Sequence, residues 1–449
     1  MKRFCILFLV TAMVAQAQSS APLTLNDALS LALRQSKAAQ LGHLKVEAAE
    51  AELKSARRQA YPQIHAYGAV TYLNDPLDVR IGRGSLTPLL NQTSAQLGLG
   101  PTNIAAFPTD DVSLAKGSHT PAVGSLTVAQ PLTQLWRIGT GVRAAKAGVN
   151  EAQRESDHIT AKLRLSVEEL FVGMLVQSRR NSEKEATVAW QERKLRDAEN
   201  ARKSGELLDE LVLGQRAAVV QACSELMRSR QDYARLSLQL ADLIGRPGSD
   251  DLVVTDQLPT REEHPLGYWT AQAANNPERL IAAATLEKAS AGVRAARQAY
   301  IPEVSLFGGG FAQDGTPLAA RHTGTAGLTL SWDVFDFGRR KAEIARATSQ
   351  RRAAEVNRDR LEEEAARQIR LAYQDVTYAD EQITLAREAL AYRQRAAELS
   401  HQSVGNGLAL DATALEADAQ LRKSEVDLTG ALCQRHLSLL HLYFLSGKL

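Results

Sequence analysis

Ala56-Arg57-Arg58-Gln59-Ala60-Tyr61-Pro62 returns 240 positions later as Ala296-Arg297-Gln298-Ala299-Tyr300-Ile301-Pro302. A second pair, Gly205-Glu206-Leu207-Leu208-Asp209 and Gly407-Leu408-Ala409-Leu410-Asp411, lies 202 positions apart, and Leu240, Leu243 and Gly245 meet Leu442, Leu445 and Gly447 at that same shift. Self-similarity in one order along the chain marks a duplication. The halves cover about 18–246 and 264–449, joined by a polar linker, 247–263, that holds Pro247, Gly248, Asp250, Asp251 and Pro259. The two shifts differ by 38 residues, so the first half carries an insertion. It falls at about 74–120, where Pro76, Pro88, Pro101 and Pro108 break any period, and reads as a long external loop.

On either side of that loop the residues alternate. Ile64, Ala66, Gly68, Val70 and Tyr72 oppose Gln63, His65, Tyr67, Ala69 and Thr71, and Val304, Leu306, Gly308, Gly310 and Ala312 repeat the scheme. Leu126 and Val128 oppose Ser125 and Thr127, while Ala326, Leu328, Leu330 and Trp332 oppose Thr325, Gly327, Thr329 and Ser331. Period two predicts strands at about 63–73, 122–132, 303–312 and 324–334. Strands of ~10 residues cross a bilayer when tilted. Four strands are too few to close a barrel, and lipid does not tolerate open edges, so the chain is expected to oligomerise.

The remainder reads as helix. No proline occurs between Pro131 and Pro247 or after Pro317, which permits helices of roughly 65 residues from near Arg137 and Arg339, each about 100 Å long. Ala365, Ile369, Ala372, Val376, Ala379, Ile383, Ala386 and Leu390 keep a 4,3 spacing, a coiled-coil seam. The matching positions of the first half run Leu163, Val167, Leu170, Met174 and then Gln177, Asn181, Lys184, so looser, wetter packing is expected there. Each long helix ends in a glycine turn, at Gly205 or at Gly405 and Gly407, after which Asp209 or Asp411 opens a returning helix. Shorter helices are expected at about 24–59 and 264–300, with a break at Pro277.

Composition agrees with this. Aromatics make up 5% of the residues and the mean hydropathy is −0.24, so large aromatic cores are excluded and long helices favoured. With 53 basic against 51 acidic residues, nothing calls for nucleic acid. Lys2 and Arg3, the apolar run Phe4–Val14 and Ala15-Gln16-Ala17 form a cleavable export signal over 1–17, with no lipid-anchoring cysteine at the cleavage point. The two cysteines beyond it, Cys223 and Cys433, lie at different heights on their helices and are expected to stay unpaired. The histidines keep no metal-ligand spacing, His436 and His441 included, and neither Gly82-Arg83-Gly84 nor Gly98-Leu99-Gly100 has the context of a phosphate loop. No nucleophile, acid–base pair, metal or cofactor site emerges, so the chain is not read as an enzyme.

The export signal, the Leu23-Thr24-Leu25-Asn26-Asp27-Ala28-Leu29 start, both Ala-Arg-rich segments ending in proline, and Trp332-Asp333-Val334-Phe335-Asp336-Phe337-Gly338 resemble the TolC outer-membrane efflux family. The resemblance implies a mainly helical fold with a membrane β-barrel portion. It further implies a homotrimer in outer-membrane lipid, with twelve strands forming the barrel and twelve helices forming a periplasmic tunnel. The implied function is the exit duct of a tripartite efflux pump, a passive conduit for small molecules. Its partners would be a periplasmic adaptor, which the tips at Gly205, Asp209, Gly405 and Gly407 would contact, and an inner-membrane transporter, of the resistance-nodulation-division type before the ATP-binding-cassette type. Type I protein secretion uses the same architecture, and a secreted coiled-coil scaffold is the reading from another class. Asp411 stands where the family carries an aspartate ring at the periplasmic gate, and Ala414 replaces the second family aspartate three residues on. The competing reading of Asp411 is a residue that only starts its helix. Trp136, Trp332, Phe335 and Phe337 lie at strand-to-helix junctions, where they fit either an aromatic belt at the membrane interface or packing between helix and barrel.

Overall fold

A computed structural model describes residues 22–98, 106–247, 252–255 and 258–449. The export signal lies outside the described residues. In chain order the elements are α1 (Leu25–Gln35), α2 (Lys37–Arg58), β1 (Gln63–Val70), β2 (Asp78–Ile81), α3 (Thr87–Gln96), β3 (Val112–Lys116), β4 (Ala122–Pro131), α4 (Gln134–Lys203) and α5 (Asp209–Leu243). There follow α6 (Leu266–Ala271), a 3-10 turn (Gln272–Asn275), α7 (Pro277–Gln298), β5 (Glu303–Asp314), β6 (His322–Ser331), α8 (Arg339–Gly405) and α9 (Asp411–Leu445). The duplication shows in the elements themselves. Helices α2 and α7 both have 22 residues and start 240 apart, whereas α5 and α9 both have 35 and start 202 apart.

The chain forms two compact units, one from residues up to Ala49 with Gly148–Leu286 and Ala353–Leu449, the other from Glu50–Ala147 and Glu287–Arg352. In the helical unit each half builds its own core. Leu163, Val167, Phe171 and Met174 of α4 pack with Leu240, Ala241 and Ile244 and with Leu25, Ala28 and Ala32 of α1. At the 202 shift, Ile369, Ala372 and Val376 of α8 pack with Leu439 and Leu442 of α9 and with Trp269 of α6. The expected seam on α8 is buried from Ala365 to Ile383 and half-buried at Ala386 and Leu390.

Between α4 and α5 the polar seam positions are bonded to each other. Buried Gln177 donates through Nε2 to the Ser229 carbonyl at 3.0 Å and hydroxyl at 2.8 Å, Ser229 donates to Asn181 Oδ1 at 2.5 Å, and Lys184 pairs with Glu225 at 3.1 Å. A buried amide is tolerable there because the facing helix supplies it with acceptors, the carbonyl and the hydroxyl of Ser229. The expected loosening is a ladder of side-chain bonds.

Two stretches hold local structure that the sequence pattern did not specify. The region 24–59 is not one helix: it breaks at Ser36, whose hydroxyl accepts from Ala38 N at 3.3 Å. Asn276, 240 residues on, does the same for Glu278 N at 3.0 Å, so each half starts its strand-leading helix with a capping side chain. The stretch 74–120, read as a long external loop, contains short elements of its own. Strands β2 and β3 pair antiparallel with α3 between them, and Pro88 sits in the first turn of α3, where its missing N–H costs nothing. Cys223 is exposed and Cys433 is buried, and no disulfide joins them.

Candidate functional site

The second unit holds a four-stranded antiparallel sheet in the order β1-β4-β5-β6. Directly paired residues share a face, so the register decides which side chains stand together. Ile64 faces Val128, which faces Gly308, which faces Ala326, and Ala66 faces Leu126, which faces Gly310. Leu306 pairs with Leu328 and Val304 with Leu330. All four sets of alternate apolar residues thus fall on one face, and its large members stay exposed, Ile64 at 68% and Leu328 at 67%. The other face carries Gln63, His65, Ser125, Thr127, Ser305, Gln313, Thr323, Thr325, Thr329 and Ser331, with Phe307 lying over Gly327, where a Cβ would stand 3.1 Å from its ring. Within the described chain β1 and β6 have no partner on their outer edges.

The junction motif divides by residue type. Asp336 accepts from Gly338 N at 3.2 Å and from Arg340 N at 3.0 Å, and so caps α8, while Gly338 takes φ +89°. Asp336 also holds the Arg340 guanidinium, which is buried and lies 4.8 Å from the Tyr300 ring centroid. The aromatics point the other way. Trp136 is 66% exposed and Phe337 92% exposed, Trp332 and Phe335 are also exposed, and Phe335 meets Phe337 edge-on at 4.7 Å. Packing between helix and barrel within one chain is therefore not what these side chains do.

At the hairpin tips Gly205 and Gly407 adopt φ +81° and +71°. Gly205 N donates to Arg202 O at 3.0 Å and Glu206 N to Ala201 O at 2.9 Å, and the Gly407 turn repeats both bonds to Val404 and Ser403. This is the left-handed C-terminal turn that glycine permits. Gly405, by contrast, is the last residue of α8 and does not enter the left-handed region. Asp209 and Asp411 each open a returning helix, and each is ion-paired. Asp209 takes Arg202 of its own hairpin at 3.2 Å, whereas Asp411 takes Arg193 of the other hairpin at 2.9 Å. The residue matching Arg202 at the 202 shift is Val404, so the second hairpin offers Asp411 no such partner of its own.

One constellation escaped the reading of the sequence. Glu168, buried on α4, accepts from Arg261 Nη2 at 2.6 and 2.8 Å and lies 3.2 Å from His436 Nε2 of α9, and the neighbouring Glu169 bonds His441 at 3.0 Å. Burial works against the Glu168 charge, but the His436 hydrogen bond and the Arg261 charge outweigh it and hold its carboxyl below the usual range. Both histidines are thus carboxylate partners that tie the halves together. Among the described residues no group of three or more potential ligands forms a metal site, and no helix is long and apolar enough to cross a membrane.

Residues 271–448 match the family model of the outer membrane efflux proteins. A comparison with curated protein sequences finds no match. Among solved structures, the CmeC outer membrane channel of Campylobacter jejuni is 14% identical, with a TM-score of 0.75 over 94% of this chain and 85% of that one. The outer membrane protein VceC of Vibrio cholerae is 15% identical, with a TM-score of 0.70 over 94% and 96%. A membrane protein from Pseudomonas aeruginosa is 16% identical, with a TM-score of 0.72 over 94% and 90%. The fold expected from the sequence, long helices with a β-barrel portion, is the fold of these structures, and the matched family is one of channels and not of enzymes. Residues 271–448 are thus similar in sequence to the outer membrane efflux proteins, and over 94% of its length the chain has the fold of a solved outer-membrane channel.

Proposed function

We propose that this protein is the outer-membrane exit duct of a tripartite efflux pump, assembled from three copies and conducting passively the small molecules that an inner-membrane transporter and a periplasmic adaptor deliver. The observation that carries this reading is the sheet. One face is apolar and exposed, the other is mainly polar with Phe307 and Phe311 among its members, and both edges are open. An apolar outer face suits lipid and a polar inner face suits a watery lumen, but unpaired strand edges are not tolerated in hydrocarbon. Neighbouring copies satisfy the edges, and three chains of four strands give a barrel of twelve. A secreted coiled-coil scaffold would have no use for such a sheet.

In this duct the exposed Trp136, Trp332, Phe335 and Phe337 form the belt at the membrane interface. The tips at Gly205, Asp209, Gly405 and Gly407 meet the adaptor. Asp411 supplies one carboxylate per chain to the periplasmic opening, and its bond to Arg193 fixes the second hairpin to the first. A transporter of the resistance-nodulation-division type fits the small-molecule role. The test is reconstitution of the purified protein into planar bilayers. Discrete conducting steps are expected, and silence from protein shown to be inserted as an oligomer would overturn the proposal.

A further inference from the structure

The helical unit contains a cavity of about 460 Å³, walled by α4, residues 258–261 and α9. Its floor is apolar. Leu175 and Cys433 are buried there in one cluster with Leu258, and Leu439 extends it. The ionisable side chains that line it, the thiol aside, are all bases: Arg179, Arg261, Arg435 and His436. The acids that hold them stand outside the lining. Glu168 accepts from Arg261 and lies against His436, while Arg435 donates to Asp380 and Glu263. Arg261 spends Nη2 on Glu168 and leaves Nε buried with no hydrogen-bond partner among the described residues. A buried donor without an acceptor is costly to keep, and passive conduction gives this one no task.

We propose that this cavity is a binding site for a small amphipathic anion, with its acid group on the guanidiniums of Arg261, Arg435 and Arg179 and its apolar tail on the leucine floor. Three features favour that class. An apolar lining with a few converging polar groups is the make-up of a small-molecule pocket, and the volume lies in the ordinary range. Guanidiniums hold carboxylates and kindred oxyanions through paired N–H donors, which sets the chemistry of the headgroup. The floor argues against the alternatives: a hydrophilic anion or water would leave Leu175, Leu258 and Leu439 without a packing partner, and a neutral apolar molecule would leave the Arg261 donor unsatisfied. The lining belongs to one chain and one unit, so the site stands whether or not the duct reading holds.

Cys433 lies in the lining and reports on what enters. In a Cys223→Ser background it is the one thiol beyond the export signal, and its labelling is followed by the mass of the intact protein in lipid nanodiscs. An anionic reagent, sulfonatoethyl methanethiosulfonate, is compared with the cationic trimethylammonioethyl reagent, each rate taken relative to mercaptoethanol in solution. A preference for the anion of about tenfold or more is expected, since a cleft lined by one sign of charge concentrates the other. Octanoate should slow the labelling, and octanol at equal concentration should slow it less. Arg179 is exposed at the rim, so Arg179→Glu should fold yet lose both the anion preference and the octanoate protection, while Arg179→Lys keeps them. Equal reactivity toward the two reagents, labelling that octanoate does not slow, or a preference unchanged in Arg179→Glu would overturn the proposal. So would a Cys433 inert to both reagents, because the cavity would then admit no anion. None of these failures touches the duct, which the bilayer recording tests by itself.

Discussion

Asp411 has two jobs to choose between, and its pairing with Arg193 separates them. As the first residue of α9 its carboxylate favours the helix N-terminus, and as the partner of Arg193 it joins the hairpins, but Asp411 is exposed and Arg193 only half-buried. An exposed ion pair contributes about 1 kcal/mol or less, so Asp411→Ala should barely change thermal stability. If the carboxylate lines the opening, that variant lowers cation selectivity in a planar bilayer, because fixed charge in a narrow constriction sets ion preference. Arg193→Ala then raises it by unmasking the charge. Identical selectivity in both variants and the unmodified channel would mean that Asp411 only starts its helix. Glu168 is a different case, buried between Arg261 and His436. Removing one member of a buried pair costs about 3–5 kcal/mol, so Glu168→Gln should lower the melting temperature markedly. Because its folded-state pKa lies below the ordinary value of 4.5, its contribution is present above that value and lost as pH falls through the lowered one. The stability gap between the unmodified protein and Glu168→Gln should therefore be full at neutral pH and shrink below about pH 4; a gap constant with pH would show that the carboxylate's charge is irrelevant. The Glu168 site was not legible in sequence, since its members are 93 and 268 residues apart from Glu168 and lie on different elements.

At the scale of elements, four turns share one backbone motif in different surroundings. A Cβ on Gly205 or Gly407 would meet open space, whereas on Gly245 it would crowd Gln35 and on Gly447 it would run into the Asn275 carbonyl. Gly407→Ala should thus cost only the left-handed backbone, about 1–2 kcal/mol, and Gly447→Ala more. Gly405→Ala, in helical backbone, should be neutral or stabilising by up to about 1 kcal/mol. Thermal melts of the three variants rank them, and equal losses would mean that the tip turn is not the constraint. The turns, strands and long helices could be read from the sequence because each rests on local pattern: a glycine, an alternation, a proline-free 4,3 run. The break at Ser36 was available too, through its repeat partner Asn276, but a serine inside an apolar period gives a weaker stop than a proline. Pro88 misled in the opposite direction, because a proline that breaks a helix interior starts one equally well.

The whole molecule holds an open sheet of four strands and four long helices, two of which, α4 and α8, run through both units. Within the described chain the sheet leaves β1 and β6 unpaired on their outer edges. Open edges in the sheet leave backbone groups unpaired, a strong drive to recruit further strands. A single chain should therefore not persist in the membrane as a finished structure. The measurement that bears most directly on this is the native mass of the protein extracted from outer membranes in mild detergent. Three chains per particle are expected, dissociating to single chains only on heating in strong detergent. A particle of one chain that still conducts in a planar bilayer would contradict it.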